Sequence, residues 1–131
     1  MKANTSHRRS GFTLVEIMIV VAIIGLLATI AIPNFVKARG TAQMNACINN
    51  LRQIDGAVQT WALETKQGDN ASVDYSQISG YMKNQVVCPS GGANATFASS
   101  YQLGTVQDKP LCKIMGNDPK NPHKLPLDTA N

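Results

Sequence analysis

The chain has 131 residues, 44% of them hydrophobic and 15% charged, and its formal net charge is +4. This length allows one domain of ordinary size and excludes a large multidomain protein. Three of the twelve basic residues, Lys2, Arg8 and Arg9, precede the first apolar run, so the remainder carries nine basic and eight acidic side chains, a balance that argues against a basic nucleic-acid-binding surface.

The first element in chain order is an apolar run from Phe12 to Ile32 whose one charged residue is Glu16. Its roughly 21 residues, at 1.5 Å per residue in a helix, are enough to cross a hydrocarbon core of about 30 Å. A carboxylate costs about 2.5 to 3.5 kcal/mol near the bilayer centre, and less toward its ends, so a simple anchor has no use for Glu16. The basic residues before the run predict that this end stays in the cytoplasm and that the C-terminal part lies outside.

The residues from Gly11 to Glu16 read Gly-Phe-Thr-Leu-Val-Glu. This segment resembles the N-terminal processing and methylation signature of type IV pilins and of the pseudopilins of type II secretion. The resemblance implies that a prepilin peptidase, an aspartic peptidase of the membrane, cuts after Gly11 and N-methylates Phe12. It also implies that Glu16 acts in subunit docking, with the N-terminal amine of a neighbouring subunit in the growing filament as its partner. A separate cytoplasmic ATPase at an inner-membrane assembly platform would supply the energy.

Three other interpretations of this N-terminus stay open. An ordinary secretory signal has an apolar region of about 7 to 15 residues and a small-residue cleavage site, and this run is longer with no such site after it. A twin-arginine export signal fits Arg8 and Arg9 but not Glu16 inside the apolar region. A single-span anchor explains neither Glu16 nor the Gly11 and Phe12 pair.

Pro33 directly follows the apolar run, and Gly25 lies within it. A proline inside a helix removes one backbone hydrogen bond and disfavours helical geometry in the residue before it, so we expect a kink or local unwinding at Pro33. In filaments of the resembled family the stretch between such a glycine and proline is often partly melted, which implies an extensible element from Gly25 to Pro33. The alternative is that Pro33 only marks the exit from the membrane.

Beyond the proline, apolar residues recur at steps of three and four, the spacing of one face of a helix. They are Met44, Cys47, Ile48, Leu51, Ile54, Val58 and Trp61. This pattern predicts a single helix from about Phe12 to about Gln67, with one face of its second half packed on a sheet. Outside lipid, the all-apolar first half can be buried only against other copies of itself.

The remainder predicts a small head. Residues 72–82 indicate a short helix or turn, and residues 85–88, 101–106 and 111–115 indicate short strands separated by glycine- and proline-rich turns. We therefore predict an α+β fold, in which the long helix packs on an antiparallel sheet of about three strands followed by an irregular tail. The expected division is a leader over residues 1–11, an apolar helix over 12–33, and an amphipathic helix with its globular head over 34–131.

The three cysteines are the remaining structural signal. Cys88 and Cys112 fall in neighbouring predicted strands of a head that faces an oxidising compartment, so we predict a disulfide between them. Cys47 would stay free as a small buried hydrophobe on the helix. Pairing of Cys47 with either of the others, or a link between subunits, stays open.

We expect no catalytic residues, metal or cofactor. Cys47 with His123 as a general base has no motif to support it, and Cys88 and Cys112 lack the paired spacing of a common zinc site. A calcium site late in the chain, as in some major pseudopilins, is also open, although simple turns are the commoner use of such residues. Its oxygen ligands would come from Asp108, Asn117, Asp118 and Asp128.

The predicted function is therefore structural rather than enzymatic: a subunit of a helical homo-oligomeric filament. Its precursor would cross the bacterial inner membrane once, in contact with lipid, and would then enter a periplasmic or cell-surface filament. A type IV pilus and a type II secretion pseudopilus compete within this prediction, and the absence of an acidic, glycine-rich calcium loop favours the pilus. Nucleic acid would be a partner only of a DNA-uptake pilus. The alternative from another class is an uncleaved, membrane-anchored binding module.

Overall fold

The computed structural model describes residues 11–126, and the chain forms two compact units that divide after Lys37. We call residues 11–37 the N-terminal unit and residues 38–126 the head. The elements in chain order are α1 (Leu14–Thr65), α2 (Tyr75–Ile78), a 3-10 turn (Ser79–Tyr81), α3 (Phe97–Ser100), β1 (Tyr101–Gln102) and β2 (Leu111–Cys112).

Helix α1 confirms the long helix predicted from the sequence. Its 52 residues begin at Leu14 and continue through Gly25 and Pro33 as one unbroken helix. The helix ends at Thr65, two residues before the predicted end, because Lys66 takes a left-handed conformation with φ 54° and the Gln67 N–H donates to the Ala62 carbonyl at 2.9 Å. Unwinding between Gly25 and Pro33 inside a filament stays a prediction.

The head has one hydrophobic core, and the predicted stripe of α1 supplies much of it. Five of the seven stripe residues are buried, and Met44 and Ile48 are half-buried. The partners of the stripe in this core come from the loops and short elements that follow α1. They include Val73, Ile78, Cys88, Phe97, Tyr101, Val106 and Cys112.

The sheet is smaller than predicted. Among residues 11–126 it contains two strands, β1 and β2, paired antiparallel with Tyr101 opposite Cys112. The third predicted strand, at residues 85–88, is wrong: the segment has no ladder partner, and its Val87 carbonyl instead accepts a hydrogen bond at 3.0 Å from the Asn50 side chain on α1. A helix side chain thus satisfies a carbonyl that a neighbouring strand would otherwise satisfy.

Short capped turns fill the rest of the head. The predicted short helix is confirmed as α2, whose Asp74 N–H donates to the Gln77 side chain at 2.7 Å. Helix α3 was not predicted, and the Thr96 hydroxyl caps it by accepting from the Ser99 N–H at 3.2 Å. Residues 121–126 contain no helix or strand, yet His123 is 1% exposed, so this segment packs into the head.

Candidate functional site

Glu16 lies in the first turn of α1, where it forms a capping box with Thr13. The Glu16 carboxylate accepts from the Thr13 N–H at 2.8 Å and from the Thr13 hydroxyl at 3.0 Å. The Thr13 hydroxyl in turn accepts from the Glu16 N–H at 3.2 Å. Since the first N–H groups of a helix have no helical acceptor, this exchange gives Glu16 a local role in starting α1.

Gly11 and Phe12 lie before the first helical residue, and both are exposed. A Cβ added at Gly11 would meet no atom within 4 Å, and the Phe12 side chain is 86% exposed. The peptide bond that the resemblance marks for cleavage is therefore outside the helix and open to the surroundings.

The rest of the N-terminal unit is an apolar helical surface. Every side chain of residues 11–37 is exposed apart from that of Ala28, which is half-buried. Helix α1 is long and apolar enough to cross a membrane, and none of its apolar window is buried. An apolar surface of this extent marks a site of contact with lipid or protein.

Gly25 and Pro33 stand within this surface. No atom lies within 4 Å of a Cβ built at Gly25, so packing inside the single chain does not require a glycine there. Pro33 has no N–H to donate to the Thr29 carbonyl, and the Thr29 hydroxyl itself bonds back to the Leu26 carbonyl at 2.7 Å. Backbone hydrogen bonding in this stretch is thus weakened.

A second constellation lies in the head, where four side chains that can bind metals meet in the core. They are Cys47, Cys88, Cys112 and His123, here called the Cys/His cluster, and all four are buried. Their ligand atoms all lie within 4.8 Å of one another. The structure thus brings the two cysteines of the predicted disulfide together, but with their thiols free and 3.6 Å apart. The disulfide stays a prediction.

Burial dominates the protonation of this cluster. It raises the pKa of the Cys47 thiol far above its usual value, against the effect of the nearby Tyr101 hydroxyl. Burial also raises the pKa of Cys88, although the Ser90 N–H that donates to its sulfur opposes the shift. It lowers the pKa of the His123 imidazole, against the nearby negative charge of Asp118. Without a cation in the cluster, these shifts favour neutral thiols and a neutral imidazole.

The sequence pattern did not place Cys47 and His123 in one site with the other two cysteines. Cys47 fitted the apolar stripe of a helix, and His123 fell in a proline-containing segment that looked irregular. The one signal available was compositional: after the predicted leader, the chain has three cysteines and one histidine, residue types that bind zinc.

The acidic residues considered for calcium serve turns instead. The Asp118 carboxylate accepts from the Lys120 and Asn121 N–H groups at 2.9 and 2.6 Å. The Asp108 carboxylate accepts from the Thr105 N–H and hydroxyl at 2.9 and 2.8 Å. Of the other two candidate ligands, Asp128 lies outside the described residues.

The relatives found by comparison with known proteins are consistent with one another. A family model described as the prokaryotic N-terminal methylation motif matches residues 6–32. The chain is 35% identical to the type IV major fimbrial protein FimA of Dichelobacter nodosus, over 73% of this chain and 60% of FimA. It is 37% identical to the competence protein ComGC of Bacillus subtilis, over 62% of this chain and 82% of ComGC. It is also 31% identical to the type II secretion system core protein G of Klebsiella pneumoniae, over 74% of this chain and 75% of that protein.

The extent of these matches differs among the relatives. The chain covers between 26% and 60% of three of the fimbrial and pilin relatives, and three quarters or more of ComGC and protein G. No solved structure matches significantly. The matched motif and the two relatives of which the chain covers three quarters or more show that it belongs to the family of type IV pilins and type II secretion pseudopilins, structural proteins rather than enzymes.

Proposed function

We propose that this chain is the structural subunit of a type IV pilus-like filament. Its precursor spans the bacterial inner membrane through the apolar part of α1, with the head outside. A prepilin peptidase removes residues 1–11 and methylates the new N-terminus at Phe12. The subunit then leaves the membrane and polymerises through the apolar helix at an assembly platform that has its own ATPase.

The observation that carries this proposal is the exposure of the N-terminal unit. Its side chains from Phe12 to Lys37 are almost all exposed, and from Phe12 to Ile32 they are mostly apolar, with Glu16 as the one charged residue. Water is an unfavourable environment for such a surface, since each buried methylene is worth about 0.8 kcal/mol. Lipid covers it before assembly, and the helices of neighbouring subunits cover it in a filament.

Glu16 determines how neighbouring subunits align along this surface. A carboxylate among apolar helices needs a cationic partner, because an unpaired charge in a low-dielectric environment is costly. Cleavage after Gly11 creates an amine at Phe12, only four residues before Glu16 in the mature chain. The amine of one subunit and the Glu16 carboxylate of the next are therefore suitable partners, and their pairing would set the register between neighbours.

A pseudopilus of a type II secretion system is the second candidate. The match to core protein G over 75% of its length favours it. Against it, the Asp108 and Asp118 carboxylates are engaged in turns, and the sequence has no acidic, glycine-rich calcium loop. An uncleaved membrane-anchored binding module is the third candidate.

The first experiment is mass spectrometry of the mature protein, isolated from cells that contain a type IV pilus machinery. We expect a chain that begins at N-methylated Phe12 and lacks residues 1–11. Retention of Met1, or a cut at another position, would refute the proposal and favour the anchored module.

The second experiment separates the charge of Glu16 from its capping role. Glu16→Gln keeps an acceptor oxygen for Thr13 but removes the charge, so we expect normal processing and membrane insertion with loss of filaments. Thr13→Ala is the matched control: it removes the capping hydroxyl, at about 0.5 to 2 kcal/mol of helix stability, but keeps the charge, and filaments should persist. Electron microscopy of sheared filaments and immunoblots of the membrane fraction measure both outcomes. Normal filaments from Glu16→Gln would remove the charge from the mechanism.

A further inference from the structure

Two distances within the Cys/His cluster match those of a tetrahedral zinc site. In a zinc site with Zn–S of about 2.3 Å and Zn–N of about 2.0 to 2.1 Å, two sulfurs lie about 3.8 Å apart and a sulfur and a nitrogen about 3.6 Å apart. The Cys88 and Cys112 sulfurs are 3.6 Å apart, and the Cys88 sulfur is 3.6 Å from Nδ1 of His123. With Cys47 included, no two of the four ligand atoms are more than 4.8 Å apart.

We propose that the Cys/His cluster binds one zinc ion as a structural site of the head, with three cysteine sulfurs and the Nδ1 of His123 as its ligands. Three soft sulfur ligands and one imidazole at the corners of a closed tetrahedron are a ligand set typical of structural zinc. Binding would release the thiol protons to solvent and leave three thiolates on the metal. This proposal does not depend on filament formation.

Each ligand comes from a different part of the head. Cys47 lies on α1, Cys112 on β2 opposite Tyr101, and Cys88 precedes the turn at Pro89. The backbone N–H of His123 donates to the Met115 carbonyl at 3.0 Å, which holds the segment that carries the last ligand. One ion would thus join the first helix, the sheet and the C-terminal segment, in a head whose sheet has two strands of two residues among residues 38–126.

The surroundings of the ligands fit this role. The Ser90 N–H donates to the Cys88 sulfur, and such hydrogen bonds stabilise a thiolate. The Tyr101 hydroxyl lies 3.6 Å from the Cys47 sulfur, where it can donate to a thiolate, and it accepts from the Asn50 side chain at 3.0 Å. A Cβ at Gly116 would collide with the Cys112 carbonyl, so a larger residue there would displace the Cys112 backbone.

The zinc site and the predicted disulfide compete for the same sulfurs. A bond between Cys88 and Cys112 would leave Cys47 and His123 buried beside it without a common role, whereas a metal ion uses all four groups. The expectation of no zinc came from the lack of paired cysteines in the sequence. That expectation does not apply here, because the fold, and not local spacing, brings these ligands together: Cys88 is 24 residues from Cys112 and 35 from His123.

The test uses the full-length chain in detergent, prepared without chelators. At lysis one sample is denatured in the presence of an alkylating agent, and the mass of the chain gives the number of free thiols. We expect three alkylated cysteines and, in the native sample, about one zinc ion per chain by elemental analysis. A Cys88 to Cys112 disulfide in the isolated protein would overturn the proposal, as would a fully reduced chain that binds no zinc when zinc is added.

Cobalt and variants assign the ligands. Replacing zinc with Co²⁺ should give the intense visible bands of a tetrahedral site and the near-ultraviolet band of sulfur bound to cobalt. The weak visible spectrum of an octahedral Co²⁺ site in the unsubstituted protein would overturn the proposal. This result does not require that the variants fold. His123→Ala and Cys47→Ser should reduce the zinc content to background, while Leu63→Ala, at an 80% exposed position of α1, should keep one ion. Full zinc content in His123→Ala would exclude His123 as a ligand and overturn the proposed four-ligand site.

Discussion

Leu51 offers a sharp test of the core described for the head. It is completely buried on α1 and belongs to the predicted stripe. Leu63 lies on the same helix but is 80% exposed. Leu51→Ala and Leu63→Ala therefore make the same chemical change in opposite environments.

The expected magnitudes follow from burial. Leucine to alanine removes about three methylene equivalents at about 0.8 kcal/mol each, or about 2.4 kcal/mol, and the cavity left behind raises the loss to about 2.7 to 5.0 kcal/mol. At Leu63 we expect a change within about 0.5 kcal/mol, because the side chain stays in water and alanine is a good helix former. Against a free energy of unfolding of about 5 to 15 kcal/mol, the Leu51 change is large.

Urea unfolding of the full chain in detergent measures both changes. The fluorescence of Trp61 is a suitable probe, since it is the one tryptophan of the chain and only 7% exposed. With a slope of about 1 to 3 kcal/mol per molar urea, a loss of about 2.7 to 5.0 kcal/mol should lower the midpoint of Leu51→Ala by about 1 to 5 M. Equal losses for the two variants would contradict the placement of this helix face in the core.

Two further predictions concern polar contacts of the head. Asn50→Ala should destabilise the head by about 1 to 3 kcal/mol, because the partly buried Val87 carbonyl and the Tyr101 hydroxyl each lose a donor. A loss below about 0.5 kcal/mol would show that these bonds do not hold the segment. Lys109→Ala should cost less than about 1 kcal/mol of stability, since the 3.1 Å ion pair between Lys109 and Asp55 is partly exposed. A double-mutant cycle with Asp55→Ala, repeated at high salt, measures the coupling energy of this pair. A coupling energy above about 2 kcal/mol would contradict the expectation.

The sequence predicts the parts of this protein that depend on local pattern. The stripe from Met44 to Trp61 gave the buried face of α1, because helical spacing alone decides which side chains share a face. The capping box could also have been predicted, since Thr13 and Glu16 have the required spacing. The only role expected for Glu16 was in docking.

Features that depend on distant contacts could not be predicted in the same way. The apolar residues before Cys88 are typical of a strand, but the donor that satisfies Val87 is a side chain 37 positions earlier on α1. His123 looked like part of an irregular tail, because its burial depends on the C-terminal segment folding back to the first helix of the head. A site built from four separate segments leaves no spacing signature.

The brevity of β1 and β2 has a consequence for aggregation. A long unpaired strand edge is a template for intermolecular β-aggregation. Here each strand of the paired sheet has two residues, and the Val87 and Val106 carbonyls are occupied by the side chains of Asn50 and Gln59. Between residues 38 and 126 the head therefore offers no long strand edge for strand addition, which lowers its risk of amyloid-like association with other heads at high concentration.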